Sequence, residues 1–585
     1  MDRRTLALVV VCLIAFMLYW PLMDRLGFRR YHEPPRPPAV DTTRALTRRD
    51  TTAIRAAAPL ATSLARAAEP GPAAAPPAVL GRAIHVETPL YNAEFSNLGG
   101  TLVAVELKRY ASAFGVSSAG ASRPGPARGA RPHTGVDVPP GDRVTLAGGP
   151  TFALELGSGV GPSSLAGVVC VDAESLDAAG AVRAITFTGR TPGGTEVRQT
   201  YRIRPDTYAM DYAVEIHDPP AALPDYSLTL RSWLPVTEAD AASDERALRA
   251  SSLVGTNIHR EHTQGLLRQP KVFEGNAVWA GVQSRYFLAA AAVVEGTARG
   301  ATSSAEERPM PAGAPAALKP ASRPTLAVAV NRMVMALPSA ARPVHRFVLY
   351  VGPSEYHELD RLPGTQLERA VDLGWNWIRP ISAMLLRVLD WIHVAIRNYG
   401  VAIIVLATAL RALLHPLNMS GMRSMRAMQK IQPEMDRIRA KYKNDPTAMN
   451  TAVMALYREN KVNPAGGCLP MVVQMPVLIA LYQVLFIAIE LRQAPFIGWI
   501  SDLSAPDMLF SFSGFPIRLL PVLMTGSGFL LQRMTPTTPQ QAPTAYMMNV
   551  MMLLFFYNMP SGLVLYWTVM NLLSAIQQWL VLRHD

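Results

Sequence analysis

Ile403-Ile404-Val405-Leu406-Ala407-Thr408-Ala409-Leu410-Arg411-Ala412-Leu413-Leu414-His415-Pro416-Leu417 is an apolar run with one guanidinium inside it. The stretch 398–417 has the length of a transmembrane helix, about 20 residues. An arginine within such a helix costs about 2.5–3.5 kcal/mol on insertion scales, so Arg411 is expected to face protein or water rather than lipid. Snorkelling is the simpler alternative, since the helix end near Leu417 is about 9 Å away. Thr408 lies one turn from Arg411 on the same face.

Four further apolar stretches follow, at 466–489, 516–533, 545–559 and 562–582. A sixth opens the chain: Asp2-Arg3-Arg4 precedes an apolar run from Leu6 to Trp20. Tyr19-Trp20-Pro21 is the wrong exit for a cleaved signal peptide and suits a membrane interface, so 1–24 is expected to be an uncleaved anchor. The fold class expected is a polytopic α-helical membrane bundle of six spans, five of them forming a core, plus an all-β domain.

That β-domain occupies 82–355. Thr101–Leu107, Val197–Ile203, Tyr212–Ile216 and Arg346–Val351 alternate apolar and polar residues between turn formers, as strands of a β-sandwich do. The Gly/Pro/Ala/Ser-rich stretches 112–141 and 297–324 read as long surface loops. A Pro/Ala-rich linker, 25–81, joins the domain to the anchor. Residues 356–397 read as a linker and an amphipathic helix: Ile378, Ile381, Leu385, Leu389 and Ile392 make one apolar face, and Trp375, Trp377 and Trp391 place it at the interface. The region 398–585 completes the bundle.

Composition agrees. At 585 residues the chain is too long for one ordinary domain, and 17% charged residues is low against about 25% in soluble proteins. The net charge of +12 comes without a basic stripe interleaved with aromatics, so direct nucleic-acid binding is not expected. Cys12, Cys170 and Cys468 lie too far apart for a disulfide framework or a metal site.

Loop charge sets the orientation. The segment 419–463 holds nine Lys and Arg residues, whereas 490–515 holds Arg492 alone. The first is therefore cytoplasmic, the β-domain lies outside, and both termini lie inside. The cytoplasmic segment reads as a helical hairpin. Met419, Met422, Met425, Met428, Ile431, Met435, Ile438 and Tyr442 form a stripe, and Asp445-Pro446 starts a second helix. Flexible methionines suit either hairpin packing or adaptable contact with apolar substrates and targeting factors, and Met422, Met425, Met428 and Met435 are the candidates.

Gln474, Gln483, Asn549, Asn571, Gln577 and Gln578 put polar groups on the other spans, as helix–helix hydrogen bonds or as the lining of a wet cavity. No carboxylate within a span can pair with Arg411, because Glu490 sits at an outer helix end, and no Gly-rich phosphate loop occurs. No Ser/His/Asp or paired-carboxylate set can be assigned in the β-domain. Neither enzymatic activity nor a cofactor or metal is expected. A small-solute transporter or channel is the main alternative to the reading below, and a membrane-anchored carbohydrate-active enzyme is a second.

As a set, several stretches resemble the YidC family of membrane protein insertases in its Gram-negative form. They are Ala409–Leu417, Lys461-Val462-Asn463-Pro464-Ala465-Gly466-Gly467-Cys468-Leu469-Pro470, Gln474-Met475-Pro476, Glu490–Phe496, Asp502-Leu503-Ser504, Met534–Thr538 and Pro560–Trp567. Asn97-Leu98-Gly99-Gly100 carries the weaker match in the β-domain. The resemblance implies a five-helix core in the bacterial inner membrane and a periplasmic β-supersandwich. It also implies a hydrophilic groove open to cytosol and lipid but closed outside. Groove residues would be Arg411, Thr408, Ala407, Gln474, Tyr566, Trp567 and Asn571. Implied partners are nascent membrane proteins, arriving alone or from the Sec translocon and its accessory subunits, with membrane lipid around the core. The ribosome and the signal recognition pathway are further candidates. Two positions depart from the family pattern: Ala407 stands where the groove threonine is expected, with Thr408 beside it, and Trp567 replaces the second of a tyrosine pair. The chain ends at Arg583-His584-Asp585 without a long basic tail, so ribosome docking would fall to 419–463.

Overall fold

The computed structural model describes residues 81–112 and 138–583, apart from 147–148, 158–162, 179, 221–222, 233–236, 239–240, 310–324, 339, 341, 444, 461, 463–468, 513–514 and 535–541. The expected N-terminal anchor and Pro/Ala-rich linker lie outside the described residues. The rest divides into two compact units, one ending at Val371 and one beginning at Asp372.

Antiparallel sheets build the first unit. In the nine-stranded sheet, Asn257–His262 forms one edge, followed by Arg249–Val254, Ala277–Gln283, Phe287–Glu295, Val344–Pro353, Ala209–His217, Glu196–Ile203, Val182–Arg190 and Val171–Leu176. A six-stranded sheet packs against it, and a four-stranded sheet runs from Ala83–Glu87 to Arg143–Leu146. Period-two burial explains the pairing. Along Ala209–His217, Tyr212, Val214 and Ile216 point into the core and Asp211, Ala213 and Glu215 point away. Asn331 bridges the two large sheets: its Nδ2 donates to the carbonyls of Ser251 (2.8 Å) and Gly281 (3.0 Å), so two buried backbone acceptors are satisfied by one side chain.

Gly99 and Gly100 turn the chain with φ of +71° and +60°. Gln199 Nε2 donates to Gly99 O (2.9 Å) and Tyr201 OH to Gly100 O (2.8 Å), fastening this turn to the nine-stranded sheet. A Cβ on Gly100 would stand 2.7 Å from Gln199 Nε2 and 2.9 Å from Phe187 Cβ, so the motif is closed to larger residues.

One expectation fails here. The stretch 297–324 reads as a loop, yet Ala298–Pro309 is a strand paired along its length with Thr325–Ala336. Its Ala, Gly and Glu residues have little intrinsic strand preference; pairing and the burial of Ala298, Ala301, Thr302 and Ser303 override it. Residues 310–324 lie outside the described set.

The second unit is helical: α1 Arg379–Ile396, α2 Tyr399–Leu413, α3 His415–Lys430, α4 Gln432–Lys441, α5 Pro446–Glu459, α6 Leu469–Ile487, α7 Leu519–Met534, α8 Ala542–Phe556 and α9 Ser561–Arg583. The apolar stripe of α1 is its packing face, with Leu385, Leu389 and Ile392 buried, while Trp391 and Val394 are exposed. Packing runs in a row, α6–α1–α2–α9–α7–α8, with a thin contact between α6 and α9. Exposed apolar side chains stand on every member of the core, among them Val405, Val473, Leu523, Leu554 and Ile576.

The helices fall where apolar stretches were expected, with α2, α6 and α7 shorter than those stretches. Among the described residues no single helix is long and apolar enough to cross a membrane. Tyr399–Leu413 and His415–Met428 together are, but they are bent by 58°. The break at Leu414 has a local cause: Pro416 has no N–H to donate to the carbonyl one turn back, so α2 cannot run on to Leu417 as one helix. Pro433 likewise starts a new helix, dividing the expected methionine-striped helix into α3 and α4.

Candidate functional site

Arg411 lies in the last turn of α2, half-buried, with its Nε buried and free of any protein hydrogen bond. Among the described residues, Tyr566 on α9 lies within electrostatic range of its charge. Tyr566 is buried and meets Trp567 edge-on, with centroids 6.5 Å apart. Trp567, half-buried, packs in turn against Phe556 at 5.6 Å. Gly562 allows this approach of α9 to α2, since a Cβ there would stand 3.4 Å from Ile403 Cδ1 and 3.1 Å from Leu503 O.

The other expected groove residues separate into two groups. Ala407 is fully buried, and Thr408 is exposed with its hydroxyl donating to Ile404 O (2.8 Å) within its own helix. Gln474 is half-buried on α6. Asn571 is spent on packing: its Nδ2 donates to Met524 O and Ser527 Oγ of α7, both at 3.3 Å. Asn549 Nδ2 donates to Gln532 Oε1 (2.5 Å), joining α8 to α7, and Gln578 Nε2 reaches Met534 O (3.3 Å). Gly528 makes room for this seam, because a Cβ there would meet Asn549 Oδ1 at 2.7 Å. Among the described residues this seam is therefore helix–helix hydrogen bonding, and Arg411, Tyr566 and Trp567 form a separate cluster.

Hydrogen bonds of two carboxylates order the loop at the other end of the helices. Asp502 Oδ1 accepts from Gln493 N (3.0 Å), Ser504 N (2.8 Å) and Ser504 Oγ (2.8 Å), and Ser561 Oγ donates to Asp502 O (2.6 Å). Asp507 Oδ2 accepts from Trp499 Nε1 and Leu520 N, both at 2.9 Å. Glu490 and Arg492 are both buried in this loop. Asn398 adds a cap: its Oδ1 accepts from Val401 N (3.1 Å) while its Nδ2 donates to Phe496 O (3.2 Å). Asn398 and Asp507 were not among the expected site residues; a polar capping residue just before an apolar run was the signal for Asn398, whereas Asp507 accepts from Leu520, 13 residues further on, and carried no such signal.

In the hairpin, Met435 does not line a surface. It is buried with Ile431 and Leu456, backed by Ile438, Val453, Tyr457 and Val462, and Tyr457 OH donates to its sulfur at 3.3 Å. Met422 and Met428 are half-buried, and the side chain of Met425 lies outside the described set. Asp445 caps α5, accepting from Thr447 N (3.1 Å) and Ala448 N (3.0 Å).

Known proteins share both units. The family described as 60Kd inner membrane protein matches residues 391–585, and the YidC periplasmic domain matches residues 172–386. The membrane protein insertase YidC of Geobacter metallireducens is 32% identical over 99% of this chain and 98% of its own length. That of Syntrophus aciditrophicus is 31% identical over 99% of both. A third, from Syntrophobacter fumaroxidans, is 35% identical over 69% of this chain and 71% of its own. An arginine-bearing apolar bundle joined to a β-domain, related at this level along its length, identifies the chain: it belongs to the YidC family of membrane protein insertases.

Proposed function

We propose that this protein inserts nascent membrane proteins into the bacterial inner membrane, alone or behind the Sec translocon, through a half-open groove with Arg411 at its base. The observation that carries the reading is half-buried Arg411 within electrostatic range of Tyr566 and, among the described residues, without a carboxylate ion pair, in a helix row whose α6 member packs chiefly on α1. A fixed positive charge without a counter-ion attracts acidic segments transiently and relays no ions. The apolar segment of the client then passes sideways into lipid, and burial of its side chains drives the step. The chain acts as a binding surface and catalyses no covalent change.

In this reading α2, α6, α7, α8 and α9 span the membrane and the N-terminal apolar run makes a sixth span. The charge of the hairpin supports a cytoplasmic position for it, and the buried state of Arg492 leaves the opposite loop with little basic surface. Both termini then lie in the cytoplasm and the β-domain in the periplasm. Thr408 and Trp567 lie within reach of the client, as does half-buried Gln474, and Met422 and Met428 offer the hairpin's adaptable contacts.

Photo-crosslinkers at Thr408 and Trp567, presented to ribosome-bound nascent chains stalled with a transmembrane segment emerging, test the groove. Adducts to the client at both positions are expected. Their absence at both would remove the groove from the account.

A further inference from the structure

From Met508 to Ile517 the chain reads Met-Leu-Phe-Ser-Phe-Ser-Gly-Phe-Pro-Ile, ten residues without a charge. Phe510–Phe512 pairs antiparallel with Phe515–Ile517 in the register Phe510↔Ile517, Ser511↔Pro516 and Phe512↔Phe515. Apart from Phe515, which meets Tyr557, this two-stranded hairpin leaves its aromatic side chains largely exposed: Phe510 is 53% exposed, Phe512 72% and Phe515 itself 59%. Met508 and Leu509 before it are exposed as well. An uncharged, aromatic strand pair with open edges is an aggregation template in water, and natural sheets protect such edges with charge or cover.

The hairpin is nevertheless held firmly. Tyr557 OH donates to Pro516 O (2.6 Å) and its ring stacks on Phe515 with centroids 5.8 Å apart. Arg518 Nη1 donates to Tyr557 O (2.5 Å) and to Asn558 Oδ1, and the guanidinium lies 5.1 Å from the Tyr557 ring. The strands are thereby fixed to the end of α8 and run directly into α7, whose Val522 and Leu523 are exposed one turn further on. Exposed apolar residues thus run from the hairpin into the start of α7. Three-residue strands reach about 10 Å, the depth of a bilayer interface rather than of its hydrocarbon core.

We propose that this hairpin is a lipid anchor, with Phe510, Phe512 and Phe515 seated in the outer-leaflet interface where aromatic side chains are favoured. Arg518 then marks the level of the headgroups. The inference rests on the spanning reading of α7 and α8 given above, and it assigns the loop between α6 and α7 a role separate from the groove.

The test places p-benzoylphenylalanine at 512, at 405 on the outward face of α2 as a membrane reference, and at 437 on the hairpin of α4 as a water reference. The full chain is irradiated in vesicles of phosphatidylethanolamine and phosphatidylglycerol and in native membranes. Phospholipid adducts at 512 comparable with those at 405, and none at 437, are expected in both. Adducts at 405 without adducts at 512, or a protein adduct at 512 in native membranes in place of lipid, would overturn the anchor and leave the bundle assignment standing. Failure at both 405 and 512 would overturn the spanning assignment and the anchor together.

Discussion

Gln577 Nε2 lies 3.0 Å from His415 Nδ1, tying the last turns of α9 to the residue that follows the break in α2. The amide and the imidazole share one hydrogen bond. The bond fixes where α3 departs from the helix that carries Arg411. Gln577→Leu removes it at nearly constant volume. The expected loss is about 1 kcal/mol of bundle stability, read as an earlier unfolding transition in detergent, with faster hydrogen exchange in α3 and unchanged exchange in the β-domain. Unchanged α3 protection would show that the bond holds nothing in place.

Arg411 provides charge without a partner, so its replacement sorts clients by their own charge. Arg411→Lys is expected to retain most insertion activity. Arg411→Ala is expected to slow clients with acidic translocated tails several-fold and leave neutral-tailed clients close to wild type, measured by protease protection of inserted tails in proteoliposomes. An equal loss for both kinds of client would mean that Arg411 is a structural residue.

Gly528 is the clearance beneath Asn549. A methyl group there would displace the amide that donates to Gln532, so Gly528→Ala combines overpacking with a broken interhelical bond. A destabilisation of about 1–3 kcal/mol is expected, visible in thermal unfolding of the purified protein. Asn549→Ala in the same background should recover part of it, because the clash is gone.

His345 shares a 2.8 Å hydrogen bond with Tyr226 in the β-domain, and desolvation holds its pKa below the ordinary 6.5, with Glu295 opposing more weakly. The unfolded chain therefore binds the proton more readily than the folded one. Stability is unaffected above about pH 6.5 and falls as pH drops below it, levelling off beneath the folded-state value. Unfolding of the β-domain, followed by hydrogen exchange between pH 7.5 and 5, should track this loss, and His345→Gln should flatten it. A wild-type profile as flat as the variant's would remove His345 as the cause.

Much of this architecture is legible in the residues themselves, for identifiable reasons. Alternation along Tyr212–Ile216 reports a strand because one face is buried, and Arg411 is conspicuous because charge in an apolar run is expensive. The strand Ala298–Pro309 is hidden because its small and polar residues are buried by a neighbour that lies 16 residues or more further along the chain for the innermost pair, Pro309 and Thr325. Asn571 reads equally well as groove lining or as glue until Ser527 and Met524 are placed beside it. Met435 shows the same limit: the stripe was visible, but Tyr457 and Leu456, which cover it, belong to another helix.

The order in which the helices pack has a mechanical consequence. A ring of helices has a bore whose diameter is set once all neighbours touch. In the row α6–α1–α2–α9–α7–α8 the contact that closes α6, α1, α2 and α9 on themselves is thin, and α7 and α8 extend from one margin, so the strip can curl or flatten by small rotations at each contact. Such a strip has no fixed aperture to exceed. Its capacity is set by how far it can unroll before the buried pairs at each contact separate, so a bulky client is accommodated by curvature and not by a wider hole.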